Sequence, residues 1–184
     1  MTDSPLPTTR GATRIGATTF SWGERTYVMG ILNVTPDSFS GDGLLEAGRR
    51  GTDAVEAAVT AGRRMVAEGA DLLDVGGEST RPGHDPVTLD EERRRVVPVV
   101  AALRAALPDT PLSIDTSKPG VAEAALAAGA DLINDVWSVG DDETLARLAA
   151  DHGVPLIVMH NRAETRYTTF LPELIADLQR KVNI

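Results

Sequence analysis

Five short apolar runs, Val28 to Leu32, Leu72 to Val75, Leu112 to Ile114, Leu132 to Val136 and Leu156 to Met159, are separated by segments whose apolar residues recur at helical spacing. A run of nearly continuous Val, Leu and Ile suits a strand buried on both faces, and strands that alternate with helices pair in parallel through crossovers. This pattern restricts the chain to an α/β architecture built from βα units. The intervening segments carry matching signals. Val55, Ala58, Val59, Gly62, Met65 and Val66 define one helix, and Gly69 stands where a left-handed terminal residue is wanted. Thr88 and Glu91 form a capping-box pattern ahead of Val96, Val100, Leu103 and Leu107, in a helix expected to bend at Pro98. Ser117 and Pro119 open a third helix that Gly129 closes, Asp141 or Asp142 opens a fourth that Gly153 closes, and Pro172 opens a fifth.

An internal echo supports repeated units: Glu68-Gly-Ala-Asp-Leu-Leu-Asp-Val75 against Ala128-Gly-Ala-Asp-Leu-Ile-Asn-Asp135. Upstream, Ala17 to Phe20 and Arg25 to Val28 flank Trp22-Gly23 in a hairpin pattern, and residues 1–14 are polar enough to form a flexible tail ahead of one domain, 15–184. The chain has no cysteine, which excludes disulfides, thiolate metal sites and a thiol nucleophile. Its formal charge of -9 argues against nucleic acid as partner. Arg93-Arg94-Arg95 directly follows Asp90-Glu91-Glu92, and the six together read as a solvated helix face. With no apolar stretch near the ~18 residues of a membrane span and no signal-peptide core at the start, a soluble, cytoplasmic enzyme is expected.

Loop length points to the functional end. Connections from strand to helix usually take ~2 to 6 residues. Those after the first two strands run from about Val34 to Arg50 and from Gly76 to Val87. Ligands of parallel sheets bind at the carboxyl ends of the strands, where both long loops lie. The same ends turn polar: Asn33, then Asp74 and Glu78, Asp115, Asn134 with Asp135, and His160. Any one of these alone suits a turn or a cap. Converging from neighbouring strands, they line a pocket with carboxylates and amides, suited to a flat heterocycle bearing several N–H donors.

Gly30-Ile-Leu-Asn-Val-Thr-Pro-Asp-Ser-Phe-Ser40, Gly76-Gly-Glu-Ser-Thr-Arg-Pro-Gly83, Ser113-Ile-Asp-Thr-Ser-Lys118, Ile133-Asn-Asp-Val136 and Val158-Met-His160 together resemble the successive strand-end motifs of the dihydropteroate synthase family. The resemblance runs from about Tyr27 to the end of the chain. It implies a (β/α)8 TIM-barrel fold and a transferase of folate biosynthesis that sulfonamides inhibit. Such an enzyme condenses 6-hydroxymethyl-7,8-dihydropterin diphosphate with 4-aminobenzoate to 7,8-dihydropteroate and pyrophosphate, with Mg2+ on the leaving group. By the same resemblance Asn33 is the metal-associated residue. Asp115, Asn134, Thr80, Arg81 and Met159 bind the pterin diphosphate, and Phe39 and Pro82 form the aminobenzoate pocket. Asp115 stabilises positive charge that develops at the pterin methylene. The family order after Phe-Ser is Asp-Gly-Gly, whereas here it is Gly41-Asp42-Gly43, so either Asp42 or Asp37 is the first-loop carboxylate that assists. His160 ends a family motif but is followed by Asn161-Arg162, so it either supports the site from behind or is structural; metal ligation is not expected, because no His or Cys partner has suitable spacing. The small-molecule substrates are the expected partners, and a homodimer is the family expectation.

The family pattern continues with three further strands, carrying an aspartate, a lysine, and an arginine with a histidine. None of these motifs precedes Ile184. About five βα units are therefore expected, an incomplete barrel with one flank open, marginal or self-associating alone. Three alternatives stand beside the enzyme: a catalytically inactive pterin-binding fragment, a pterin-dependent methyltransferase on the same barrel, and a doubly wound open sheet. The Thr35-Pro-Asp-Ser-Phe-Ser40 and Ser79-Thr-Arg-Pro82 runs argue against the methyltransferase.

Overall fold

Each apolar run becomes a strand in the computed structural model, which describes residues 11–35, 52–79, 86–136, 143–162 and 166–183. The strands β3 (Met29–Asn33), β4 (Leu72–Gly76), β5 (Leu112–Asp115), β6 (Leu132–Asp135) and β7 (Leu156–Val158) form one sheet in the order β3-β4-β5-β6-β7. All four pairings are parallel. Between them run α1 (Thr52–Ala67), α2 (Leu89–Ala106), α3 (Pro119–Ala127) and α4 (Thr144–His152), and α5 (Phe170–Val182) follows β7. A doubly wound sheet reverses its strand order at a switch point. Here chain order is spatial order throughout, which is how a barrel winds, so the open-sheet alternative falls. The architecture is part of a (β/α)8 barrel.

Alternation along the strands divides the apolar residues between two cores. Leu32, Leu73, Val75, Leu112, Ile114 and Ile133 face the helices and pack with Ala58, Val96, Val100, Leu103, Val121 and Ala125. On the opposite face Leu72 and Leu132 pack with Ile15, Phe20, Tyr27 and Met29. That second cluster belongs to a hairpin, but not at the expected place. The paired strands are β1 (Ala12–Ile15) and β2 (Thr18–Ser21), joined through Gly16 and Ala17. Trp22 and Arg25 make one isolated bridge instead. Ala12 to Arg14, read as tail, are thus strand residues, because pairing with β2 lets Ile15 and Phe20 close the amino-terminal end of the sheet.

The repeated Gly-Ala-Asp joint has a mechanical meaning. Gly69 and Gly129 adopt φ of 110° and 113°, turning the chain out of α1 and α3. The aspartate that follows grips the preceding strand at both backbone groups. Asp71 N–H donates to Val28 O at 2.8 Å while its carboxylate accepts from Val28 N–H at 2.8 Å. Asp131 does the same to Leu112, at 2.7 Å and 2.9 Å. Each carboxylate also pairs with an arginine, Asp71 with Arg25 and Asp131 with Arg104. The Arg104 guanidinium donates further to the carbonyls of Gly129, Pro108 and Thr110.

Three helix expectations are corrected. α4 starts at Thr144 with Glu143 in the capping position, and Asp141 and Asp142 lie outside the described residues. α5 starts two residues before Pro172, because a proline is tolerated anywhere in the first turn, where N–H groups have no helical acceptor. The Glu173 carboxylate instead reaches back to the N–H groups of Thr168 and Thr169. In α2, Thr88 accepts from Glu91 N–H as expected, and the helix continues past the exposed Pro98. Its charged stretch is not all solvated, however: Glu92 is fully buried. Counting at helical spacing from Val96, Val99 and Leu103 places Glu92 on the same stripe. Among the described residues no helix is long and apolar enough to cross a membrane.

A side chain at a positive φ costs about 1 to 2 kcal/mol. Gly69→Ala should lose about that much, since its added Cβ meets nothing within 4 Å. Gly129→Ala should lose more, because the same atom would lie 2.9 Å from Arg104 Cγ. Urea midpoints of the two variants check the order.

Candidate active site

The register brings four of the strand ends into one row: Asn33 beside Gly76, Gly76 beside Asp115, and Asp115 beside Asn134. Residues in one row of a parallel sheet point to the same face, here the face away from the helices. The residues one step below, Ile31, Asp74, Ser113 and Leu132, share that face. Gly76 leaves the middle of the row open. A Cβ there would lie 3.5 Å from Asp115 Oδ2 and 3.7 Å from Asn33 Oδ1, filling the space between the two oxygens. Gly77 serves the other face: a Cβ would lie 2.6 Å from Val96 Cγ1, so only glycine lets the backbone lie against α2.

Beneath this row lies Asp74, one of the strand-end carboxylates expected to line the pocket. Asp74 is buried and accepts from Asn134 Nδ2 at 3.0 Å, which fixes the orientation of the Asn134 amide. Its Oδ1 and the neighbouring Ser113 Oγ have no hydrogen-bond partner. Burial raises the Asp74 carboxyl above its ordinary pKa, partly offset by Ser113 and Asn134; the Ser113 dipole is close, but outside bonding geometry. The position of Asp74 two residues ahead of Gly76 puts it on the same face of the sheet, as the pocket-lining expectation requires.

Asp115 carries the largest electrostatic load. Burial, followed by the charges of Asp74, Glu92 and Asp135, pushes its carboxyl up to about 7. Partly buried acceptors and donors in one row, with two unbonded polar atoms beneath, can satisfy a planar ring with several N–H groups at its edge. The rim is apolar: Ile31 and Ile157 extend the two rows and are exposed, as is Met159 just past β7.

The other expected residues separate. Asp135 is buried on the helix side of β6, away from Asn134. His160 bonds Asp177 Oδ2 at 2.6 Å and the Tyr167 hydroxyl at 3.0 Å, tying the end of β7 to α5. Asp177 is held at about 2: burial works to raise it, but bonds from His160 and Arg180 and the Lys181 charge prevail. Asp42, with its alternative Asp37, and Phe39, Thr80, Arg81 and Pro82 lie outside the described residues. For Mg2+ the fit rests on the Asn33 amide oxygen, a hard donor facing the site beside an Asp115 oxygen. No group of three His, Cys, Asp or Glu suited to a metal occurs among the described residues.

Residues 29–184 match the family described as pterin binding enzyme. The chain belongs to that family. A relative from Clostridium beijerinckii, named dihydropteroate synthase, is 46% identical over 93% of this chain and 61% of its own length. The structure of dihydropteroate synthase from Clostridium difficile in the presence of pteroic acid aligns with a TM-score of 0.75 at 43% identity, covering 89% of this chain and 61% of that one. The Xanthomonas albilineans enzyme with 4-aminobenzoic acid aligns with a TM-score of 0.77 at 41% identity, over 94% of this chain and 60% of its own. The chain thus spans about three-fifths of the length of these relatives.

The Asp115 shift gives a signed stability prediction. In the unfolded chain this carboxyl ionises near about 3.9. Between there and about 7 the folded protein keeps a proton that the unfolded chain has released, so stability falls as pH rises through that window and levels off above it. Asp115→Asn removes the penalty. It should be more stable than the wild type by about 1 to 3 kcal/mol at pH 8 and nearly equal to it at pH 4, read from urea unfolding at both pH values.

Proposed function

We propose that the chain supplies the pterin site of a dihydropteroate synthase, which joins 6-hydroxymethyl-7,8-dihydropterin diphosphate to 4-aminobenzoate with release of pyrophosphate. The observation that carries this reading is the row of Asn33, Asp115 and Asn134 around the open position at Gly76, with Asp74 beneath. The pterin edge offers ring N–H and amino donors together with acceptors. The carboxylates of Asp115 and Asp74 accept from such donors, and the Asn134 amide can meet both kinds of group.

In the reaction the aminobenzoate nitrogen forms a bond to the pterin methylene carbon as the carbon–oxygen bond to diphosphate breaks, and the amine proton passes to the departing pyrophosphate or to water. Positive charge grows on the pterin before the new bond is complete. The ionised Asp115 carboxylate, held in a site of low polarity, stabilises that charge more in the transition state than in the ground state. Its raised pKa means that pterin binding should weaken as pH falls below about 7. Asn33 would hold Mg2+, with phosphate oxygens and waters completing the shell; when bound, the ion neutralises charge on the diphosphate. Thr80 and Arg81 are proposed as diphosphate contacts, Phe39 and Pro82 as the aminobenzoate pocket, and Asp42 or Asp37 as the assisting carboxylate. A homodimer in the cytoplasm is the proposed setting.

The test is titration of the purified chain with pteroic acid, followed by a pyrophosphate-release assay with pterin diphosphate, 4-aminobenzoate and Mg2+. Each lost hydrogen bond to a buried polar group is worth about 1.5 kcal/mol or more, so Asp115→Asn and Asn134→Ala should each weaken pteroic acid by at least about tenfold. Binding without turnover would mark an inactive pterin-binding fragment. No binding by the wild-type chain would sink the reading.

A further inference from the structure

Lys118 follows the β5 motif closely enough to look like a cation for an anionic ligand, yet its ammonium is already engaged. It pairs with Glu78 Oε2, two residues past β4, and with Glu92 Oε2 at 2.5 Å from inside α2. With two carboxylates on one ammonium, the local charge repels a further anion. Burial works to lower the Lys118 pKa, but bonds from Glu78 and Glu92 outweigh it, so the side chain remains cationic.

The tie extends through the backbone on both sides. Glu92 Oε1 accepts from the Thr116 hydroxyl at 2.6 Å, and Thr116 Oγ1 accepts from Lys118 N–H at 3.2 Å, which closes the turn next to Asp115. Glu78 Oε1 accepts from Val87 N–H at 3.0 Å, which joins the start of the β4–α2 connection to its end. Arg95 adds a bond from the same stretch of α2 to Gly77 O at 2.9 Å. Glu92 lies on the stripe of α2 that packs against the sheet, so this charged group is placed where an apolar side chain would otherwise complete the core.

We propose that Lys118 is a positioning residue: by joining Glu78 and Glu92 it holds the carboxyl ends of β4 and β5 at a fixed separation on α2, and thereby sets Asp115 opposite the open position at Gly76. The tie is a property of this fold; its effect on ligand rests on the pterin reading above. A buried Glu92 left without its cation can unfold the protein, so Lys118→Met alone is not a fair test. Glu92→Gln combined with Lys118→Met removes both charges and the tie together, and Lys118→Arg keeps the charge.

The experiment measures amide hydrogen exchange and pteroic acid affinity for the full chain and these variants. In the double variant, exchange at Ile114 and Ile133 in the strands should match the wild type, while exchange at Val87 N–H should be about tenfold faster. Pteroic acid should bind about tenfold more weakly at 25 °C, and Lys118→Arg should recover most of both losses. Wild-type exchange at Val87 in the double variant would overturn the tie, and faster exchange with unchanged affinity would overturn the positioning role. If the wild-type chain itself does not bind pteroic acid, the pterin reading falls, and exchange at Val87 still decides whether Lys118 holds the two strand ends together.

Discussion

The register of the parallel sheet is the constraint from which the rest follows. Sliding one strand by a single residue would exchange its two faces. It would drive Asp74, Asp115 or Asn134 into the helix-side core and bring Val75, Ile114 or Ile133 to the opposite face. Burying a carboxylate without a partner costs several kcal/mol, so the alternation of polar and apolar residues opposes the slip. The joints at Asp71 and Asp131 enforce the register from the other end. Each occupies both backbone groups of the residue that enters the neighbouring strand, so strand starts are aligned before the polar carboxyl ends are reached.

That alignment concentrates acidic groups in a small volume. Asp74, Asp115, Glu92 and Asp135 come from β4, β5, α2 and β6, and Asp115 is affected by the charges of the other three. The protein treats them unequally. Glu92 has a lysine and a hydroxyl, whereas Asp74 has an amide on one oxygen only. The group that supports structure is neutralised, and the groups that face the pocket remain under electrostatic stress. The proposed pterin site, which would receive N–H donors and stabilise a developing cation, would gain from this arrangement, since the acceptors are already desolvated and oriented. The cost appears as the pH-dependent stability derived for Asp115.

The strands, the helix-closing glycines and the site row were legible because each rests on local chemistry. Apolar runs mark strands, a positive φ calls for glycine, and strand-end Asn and Asp interrupt the apolar pattern. The motif resemblance added the roles proposed for Asn33, Asp115 and Asn134. What was not legible depends on contacts distant in sequence. The hairpin was misplaced because β-branched and aromatic residues lie on both sides of Trp22-Gly23. Only packing of Ile15 and Phe20 on Leu72 and Leu132 selects the earlier pairing. Glu92 was hidden by its charged neighbours, although its helical position marked it as core. Lys118 received no role, because its partners lie 40 and 26 residues away in the chain.

The two ends of the sheet are secured by different means. Around β4 and β5 the fold is held by a dense apolar core in which Leu73, Val75, Leu112 and Ile114 are fully covered. At β7 the covering is thinner: Leu156 is only partly buried, Ile157 and Met159 are exposed, and Leu171 and Ile175 of α5 face outward. There α5 is fastened to the strand by polar contacts, with Lys181 donating to Met159 O at 2.6 Å and His160 bonded to Asp177. Polar ties fix geometry well but contribute less than apolar burial. Asn134 stands beside Ile157 in the site row, at the boundary between the two regimes. Its bond to the buried Asp74 ties it to the fully covered part of the sheet and fixes the orientation of its amide in the site row.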